Sequence, residues 1–307
     1  FALETYKNDP CECFIPKGAE MGKLTKQEVR LIAQMHKAIT IIQFKLEGSL
    51  IKRRPQYNMD DRLLLDKIDY EKGTIHLDGK DYPLLDKHFP TIDPKQPHVL
   101  TAEEQAVMDK LRLFFINSKK LQQHARFLYS QGGIYLVYNN NLLYHGCIPM
   151  NNDGSFASFK VDGQTFAGKA FLDRLDRLAR QGYFAKDNLE QKQYGMDAIW
   201  YLWCNPQSPL FGKEKMATFE RYFLADKETH KEKRNAYYIL QDKEETARKL
   251  LEEFGLNPDT SHIINGHVPV KVNRGERPVK ANGRLIMIDG GFSRAYQRET
   301  GIAGYTL

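Results

Sequence analysis

His262-Ile263-Ile264-Asn265-Gly266-His267-Val268-Pro269 is a short apolar run that ends in a polar residue, a glycine and a histidine. Such a run, rich in β-branched residues and bounded by Gly and Pro, reads as a buried strand feeding a tight turn. The same design occurs twice more, at Leu142-Leu143-Tyr144-His145-Gly146 and at Leu285-Ile286-Met287-Ile288-Asp289-Gly290. A strand held in a sheet fixes its last side chain, and the neighbouring glycine lets backbone or ligand come close. A histidine at such a turn can offer one ring nitrogen to a metal while a neighbour holds the other. His145 and His267 lie far apart in the chain, so they meet only if their strands are neighbours in one sheet. Taken singly, each fits a strand cap held by hydrogen bonds. The threefold recurrence favours convergence on one site.

Outward from these strands the pattern is mixed α/β. Ile134–Tyr138 is a β-rich run, Asn139-Asn140-Asn141 a turn tolerant of positive φ, and Leu142–Tyr144 the returning strand. Helical spacing is expected over Thr165–Gln181, Asn188–Trp203 and Glu244–Phe254, the last closed by Gly255. Upstream, residues 21–131 read as a mainly helical unit. Thr25 with Glu28 forms a capping box for a helix running to about Glu47 or Leu50. Thr101-Ala102-Glu103-Glu104 opens a second long helix that stops at Gly132-Gly133, and the two are expected to pair. Between them Thr74–Leu77, Asp78-Gly79 and Lys80–Tyr82 read as a small hairpin. Residues 1–20, with Pro10, Pro16 and Gly18, read as a connecting segment.

The 307 residues suit one large domain or two modest ones. With 41 % hydrophobic and 11 % aromatic residues, the chain can fill a core, which excludes global disorder. No apolar run approaches the roughly 18 residues of a membrane helix, so no membrane partner is expected. The 45 Lys plus Arg against 39 Asp plus Glu leave a mild surplus of +6. The basic residues form no single stripe, and nucleic acid is not expected as a partner. A small phosphorylated substrate needs only a few placed cations. Cys11-Glu12-Cys13 is too tight for an ordinary disulfide and lacks zinc spacing, so the four cysteines read as reduced thiols of a cytoplasmic protein. His36, His88, His98 and His124 are scattered and read as surface or packing residues.

Four blocks then occur in order: His145-Gly146-Cys147-Ile148-Pro149, Trp200–Pro206, Gly266-His267-Val268-Pro269 and Ile288-Asp289-Gly290-Gly291. They resemble the second half of a calcineurin-type metallophosphoesterase. More closely, the whole chain resembles the class III fructose-1,6-bisphosphatases of Firmicutes. Tyr201–Leu240, Ser261–Lys271, Asp289–Leu307, Ile42–Gly48 and Asn58–Arg62 carry that likeness.

The resemblance implies the C-terminal half of a metallophosphoesterase β-sandwich over residues 132–307, flanked by helices and preceded by the helical insertion. It implies a dinuclear centre, with manganese as the usual ion, and hydrolysis of the 1-phosphate of fructose 1,6-bisphosphate in gluconeogenesis. His145 and His267 match the two metal-binding histidines of the family's second half, and Asp289 supports them. Two divalent ions would lower the pKa of a bridging water for in-line attack on phosphorus. The D-x-H, G-D-x-x-D and G-N-H motifs of the first half do not occur here. The chain therefore reads as a C-terminal piece of a longer polypeptide, expected to be inactive alone, and compatible with a homo-oligomer.

The second phosphate needs cations that hold no metal. Lys213, Lys215, Arg221 and Lys271 are the candidates, against the alternative of a solvated basic face. Asp226, Glu228 and His230 read as an ion-paired surface rather than a further metal site. The competing functions are a phosphatase for phosphoproteins or dinucleoside polyphosphates, and a non-catalytic module.

Overall fold

The computed structural model describes residues 1–16, 24–161, 163–291, 293–301, 304 and 305. Parts of the expected connecting segment (17–20) and the start of the expected insertion (21–23) lie outside the described residues.

The helices are α1 (Ala2–Thr5), α2 (Lys26–Arg53), α3 (Ala102–Asn117), α4 (Lys119–Gln131), α5 (Gly168–Phe184), α6 (Leu189–Cys204), α7 (Thr218–Phe223), α8 (Tyr237–Leu240), α9 (Glu244–Glu253) and α10 (Arg294–Thr300). The strands are β1 (Ile68–Asp69), β2 (Thr74–Leu77), β3 (Lys80–Pro83), β4 (Tyr135–Tyr138), β5 (Asn141–Tyr144), β6 (Ser158–Val161), β7 (Gln164–Ala167), β8 (His262–Asn265), β9 (Val279–Lys280) and β10 (Leu285–Met287).

The chain divides into two compact units, Phe1–His124 with Ala217–Lys231, and Ala125–Met216 with Glu232–Leu307. This division differs from one at residues 131 and 132. It falls inside α4, and a later stretch containing α7 returns to the first unit. Local spacing carries no trace of that return.

In the first unit α2 is the axis. Thr25 and Glu28 exchange the two bonds of a capping box, and the helix continues to Arg53. Its apolar face (Ala33, Ile41, Phe44) joins Leu64, Leu65, Ile68, Ile75, Phe219 and Phe223 in one core. Tyr6, Cys11 and Phe14 lie in that core, so residues 1–14 pack as structure rather than serving only as a connection. Two buried cations and one partly buried cation are each matched. Lys37 reaches Asp9 at 2.5 Å and Asp86 at 2.6 Å, Lys45 reaches Glu104 at 2.7 Å, and Arg62 reaches Glu220 at 2.6 Å. Asp78 and Gly79 take positive φ, which a two-residue turn between β2 and β3 requires. The expected second long helix is broken at Ser118 into α3 and α4. Phe114 and Phe115 of α3 stay exposed, so the expected apolar pairing with α2 is not made along that face.

The second unit is built on a five-stranded sheet of order β4-β5-β8-β10-β9. The middle three strands are parallel and the two edge strands antiparallel. Register aligns Leu142 with Ile263 and Tyr144 with Asn265, and Leu285 with Ile263. These residues form the buried face, with α9 packed on β8. The alternate positions, Leu143, Ile264 and Ile286, are only half buried, and Leu136 opposite Leu143 is 55 % exposed. One face of the sheet is therefore open. A hairpin, β6–β7, precedes α5. The helix expected from Thr165 begins only at Gly168, because Thr165 pairs with Lys160 across that hairpin. Helices α5 and α6 approach so closely that a Cβ on Gly195 would lie 2.2 Å from the Gly182 backbone nitrogen. The architecture is α/β, as expected.

Candidate functional site

Parallel strands expose the turns at their C-terminal ends as a natural ligand site. Here β5, β8 and β10 end side by side. The ladder continues one step beyond the strands, with Gly266 N–H donating to His145 C=O and Ile288 N–H to Asn265 C=O. This register brings His145 and His267 together, with His145 Nε2 2.9 Å from His267 Nδ1.

The turn after β5 needs its glycine, because a Cβ on Gly146 would sit 2.7 Å from Pro209 C=O, whereas one on Gly266 would make ordinary contact at 3.4 Å from Asp289 Cβ. His267 itself adopts φ of 66°. The left-handed region costs a non-glycine residue on the order of 1 kcal/mol or more, which tertiary contacts must outweigh.

Desolvation lowers the pKa of both rings. At His267 the charges of His145 and Lys213 add to that effect. Asp289 draws both rings the other way without outweighing burial. Both imidazoles are thus held toward the neutral form, the form that ligates metal. Two imidazoles bound side by side on one cation, each at about 2.1 Å, place their ligating nitrogens about 3 Å apart at a right angle. The observed separation suits that use. Among the described residues no group of three or more His, Cys, Asp or Glu could hold a metal ion. The chain's described residues therefore offer a pair of imidazoles, with Asp289 nearby. The Asp289 carboxylate accepts from Gly291 N–H at 2.7 Å, which ties it to its own turn.

The two rings border a cavity of about 720 Å³ whose wall includes Trp203, Phe211, Arg180 and Lys213. Lys213 Nζ pairs with Glu232 at 2.9 Å. A second cavity, of about 900 Å³, lies over Leu136, Leu143, Ile264 and Ile288 and also reaches His145. Cys147 is no rival ligand, because burial pushes its thiol up to about 12.

The family described as Firmicute fructose-1,6-bisphosphatase matches residues 1–307. The chain belongs to this family. Similar relatives carry the name fructose-1,6-bisphosphatase class 3. That of Alkaliphilus metalliredigens (strain QYMF) is 60 % identical over 100 % of this chain and 46 % of its own length. That of Clostridium botulinum (strain Alaska E43 / Type E3) is 58 % identical over 100 % and 47 %. That of Clostridioides difficile (strain 630) is 57 % identical over 100 % and 46 %. The chain spans about half the length of the curated relatives it matches. No solved structure matches it.

Within this fructose-1,6-bisphosphatase family chain, the expected site residues separate. His145, His267 and Lys213 share one cavity, and Asp289 adjoins Gly266. Lys215 and Lys271 are half buried outside that cavity's wall, and the Lys271 backbone N–H is held by Glu276. Arg221 lies in the other compact unit, where it donates to His230 C=O at 3.3 Å. Asp226 caps the turn at Glu228, which pairs with Lys231, as expected of an ion-paired surface. Glu232 was not among the expected site residues. Its partner Lys213 is nineteen positions away, and no short motif links them. No short motif links Tyr237 to the site either, since its hydroxyl meets Asn265, 28 positions on.

Proposed function

We propose that the whole protein hydrolyses the 1-phosphate of fructose 1,6-bisphosphate, giving fructose 6-phosphate and phosphate, in the cytoplasm. The observation that carries this reading is the facing His145 and His267 pair at the ends of adjacent parallel strands, in a chain of this family. A metallophosphoesterase sandwich is the finer fold we infer. The open apolar face of the sheet, beside His145, supports a second layer supplied by parts of the protein outside this chain.

His145 Nε2 and His267 Nδ1 would hold a divalent cation, with manganese the first choice for mixed imidazole and carboxylate ligation. When bound, such ions lower the pKa of water and polarise a phosphoryl oxygen. The chain's own contributions are separate from that chemistry. Partial desolvation lowers the pKa of both imidazoles, which favours the neutral form that binds a cation. Lys213, on the wall of the same cavity and paired with Glu232, would offer a positive point charge to the distal phosphate. Trp203 and Phe211 give the same cavity an aromatic wall.

The test is phosphate release by the whole protein with manganese, using fructose 1,6-bisphosphate, diadenosine tetraphosphate and a phosphopeptide. Turnover of the sugar bisphosphate at least tenfold above the other two is expected. Turnover confined to either of the others would replace this reading with a different phosphatase, and none at all with a non-catalytic module.

A further inference from the structure

Beneath the histidine pair lies a buried chain of neutral polar groups. Asn265 Nδ2 donates to Tyr237 Oη at 2.7 Å and toward Gly146 C=O at 3.4 Å. Tyr237 Oη shares a 2.6 Å hydrogen bond with Tyr144 Oη. The carbonyl of Gly146 can only accept, so the amide of Asn265 is oriented with its nitrogen toward that carbonyl. Tyr237 is fully buried, Asn265 is 2 % exposed and Tyr144 7 %. Each stands at a telling place. Tyr144 immediately precedes His145, Asn265 stands two residues before His267, and Gly146 follows His145. Tyr237 comes from neither strand but from the start of α8. That start is fixed by Asn235, whose side-chain oxygen accepts from Tyr237 N–H at 2.9 Å and from Met150 N–H at 3.0 Å.

We propose that Tyr237, Tyr144 and Asn265 are positioning residues that set the spacing of the two imidazoles for a shared cation. The proposal rests on the reading of His145 and His267 as metal ligands. The strand ladder runs through β5 and β8 as far as Gly266 N–H and His145 C=O, one residue short of His267. His267 sits in an unfavourable backbone region, so its turn would relax unless other contacts held it. The tyrosine–asparagine chain crosses from the end of β5 to the end of β8 and supplies that restraint. Its members are uncharged, so they fix geometry without adding a charge that would compete with a cation. Outer partners of metal ligands commonly change affinity 10–100-fold when removed.

The experiment titrates manganese into the whole protein by electron paramagnetic resonance for six forms: wild type, His145→Ala, His267→Ala, Tyr237→Phe, Tyr144→Phe and Leu250→Val. Leu250 is fully buried on α9 and outside the network, so its variant reports general loss of stability. The histidine variants are expected to lose a bound manganese. Tyr237→Phe and Tyr144→Phe are expected to weaken manganese binding about tenfold or more, and Leu250→Val to leave it within about twofold. If the histidine variants lose metal while both phenylalanine variants bind like wild type, the positioning role is overturned and the ligand reading stands. If Leu250→Val weakens binding as much as Tyr237→Phe, the effect is general destabilisation and the positioning role is again overturned. If both histidine variants keep their full metal content, the ligand reading falls, and this proposal with it.

Discussion

The core of the first compact unit and the ground beneath the histidine pair of the second bury different kinds of polar group. The first buries full charges, with Lys37, Lys45, Glu104 and Glu220 all at 0 % exposure and each paired. Beneath the histidine pair, the second buries neutral hydroxyls and an amide instead. A buried ion pair gains little net stability over an apolar replacement, yet is costly to break by halves. A neutral network is weaker, but its loss perturbs neighbouring ionisations less. The contrast suits their settings. The first unit ties segments distant in sequence, while the second, on the proposed reading, holds two imidazoles in place for a cation.

The sharpest way to break this comparison is Glu104→Ala. Glu104 accepts from Lys45 and from Thr101 N–H at the start of α3, so its loss strands a buried cation and opens a capping box. A loss of about 3–5 kcal/mol in urea unfolding is expected. Replacing Lys45 and Glu104 together by Met and Leu should recover most of it. A single-variant cost below about 1 kcal/mol would mean that the buried charges matter no more than the neutral network. The second unit should show its weight in chemistry instead. His267→Ala in the whole protein is expected to cut turnover more than about 100-fold, equivalent to about 2.7 kcal/mol in the barrier, with little change in unfolding midpoint. An unfolding shift as large as that of Glu104→Ala would erase the distinction.

A smaller effect is expected where the second unit is tight without polar groups. Gly195→Ala drives a methyl against the Gly182 backbone, which cannot swing aside as a side chain can. Separating α5 from α6 should cost about 1–3 kcal/mol, read as a fall in thermal midpoint. Gly255→Ala is a useful contrast, since nothing lies within 4 Å of its added Cβ and only its φ of 74° resists the change.

What the sequence disclosed follows from range. Thr25 with Glu28, and Asn139-Asn140 at φ of 47° and 57°, act over two to four residues and were legible. So was the meeting of His145 with His267, because the same strand–polar–glycine design recurs at each strand end. The likeness to the family supplied the rest of that expectation. Partners that nothing local announces were not legible. Lys37 sits on a helix whose spacing says nothing of Asp9, 28 positions before it, or Asp86, 49 positions after. Helical spacing also outvoted strand pairing at Thr165, where Gly163, at φ of 77°, turns the chain back on Lys160. The return of Ala217–Lys231 to the first unit is a pure long-range fact.

The smallest expected effect concerns pH and separates the two kinds of burial most cleanly. Burial works to raise the Asp9 carboxyl. Bonds from Lys37, from His88 and from Cys11 N–H outweigh it and hold the group at about 2. The groups facing it are Lys37, His88 and, across Lys37, Asp86. A carboxyl depressed in the folded state binds fewer protons there than in the unfolded chain, whose aspartates titrate near about 3.9. Its contribution is therefore complete above about pH 4 and fades as pH falls toward about 2. Wild type should lose stability across that window more steeply than Asp9→Asn, in which Lys37 keeps only Asp86. At pH 7 the variant should be about 1–2 kcal/mol less stable, and the gap should narrow on acidification. Parallel curves from pH 7 to pH 2 would show that the Asp9 pairing does not drive the acid response, and would make the first unit's buried charges as inert to pH as the hydroxyls beneath the histidines.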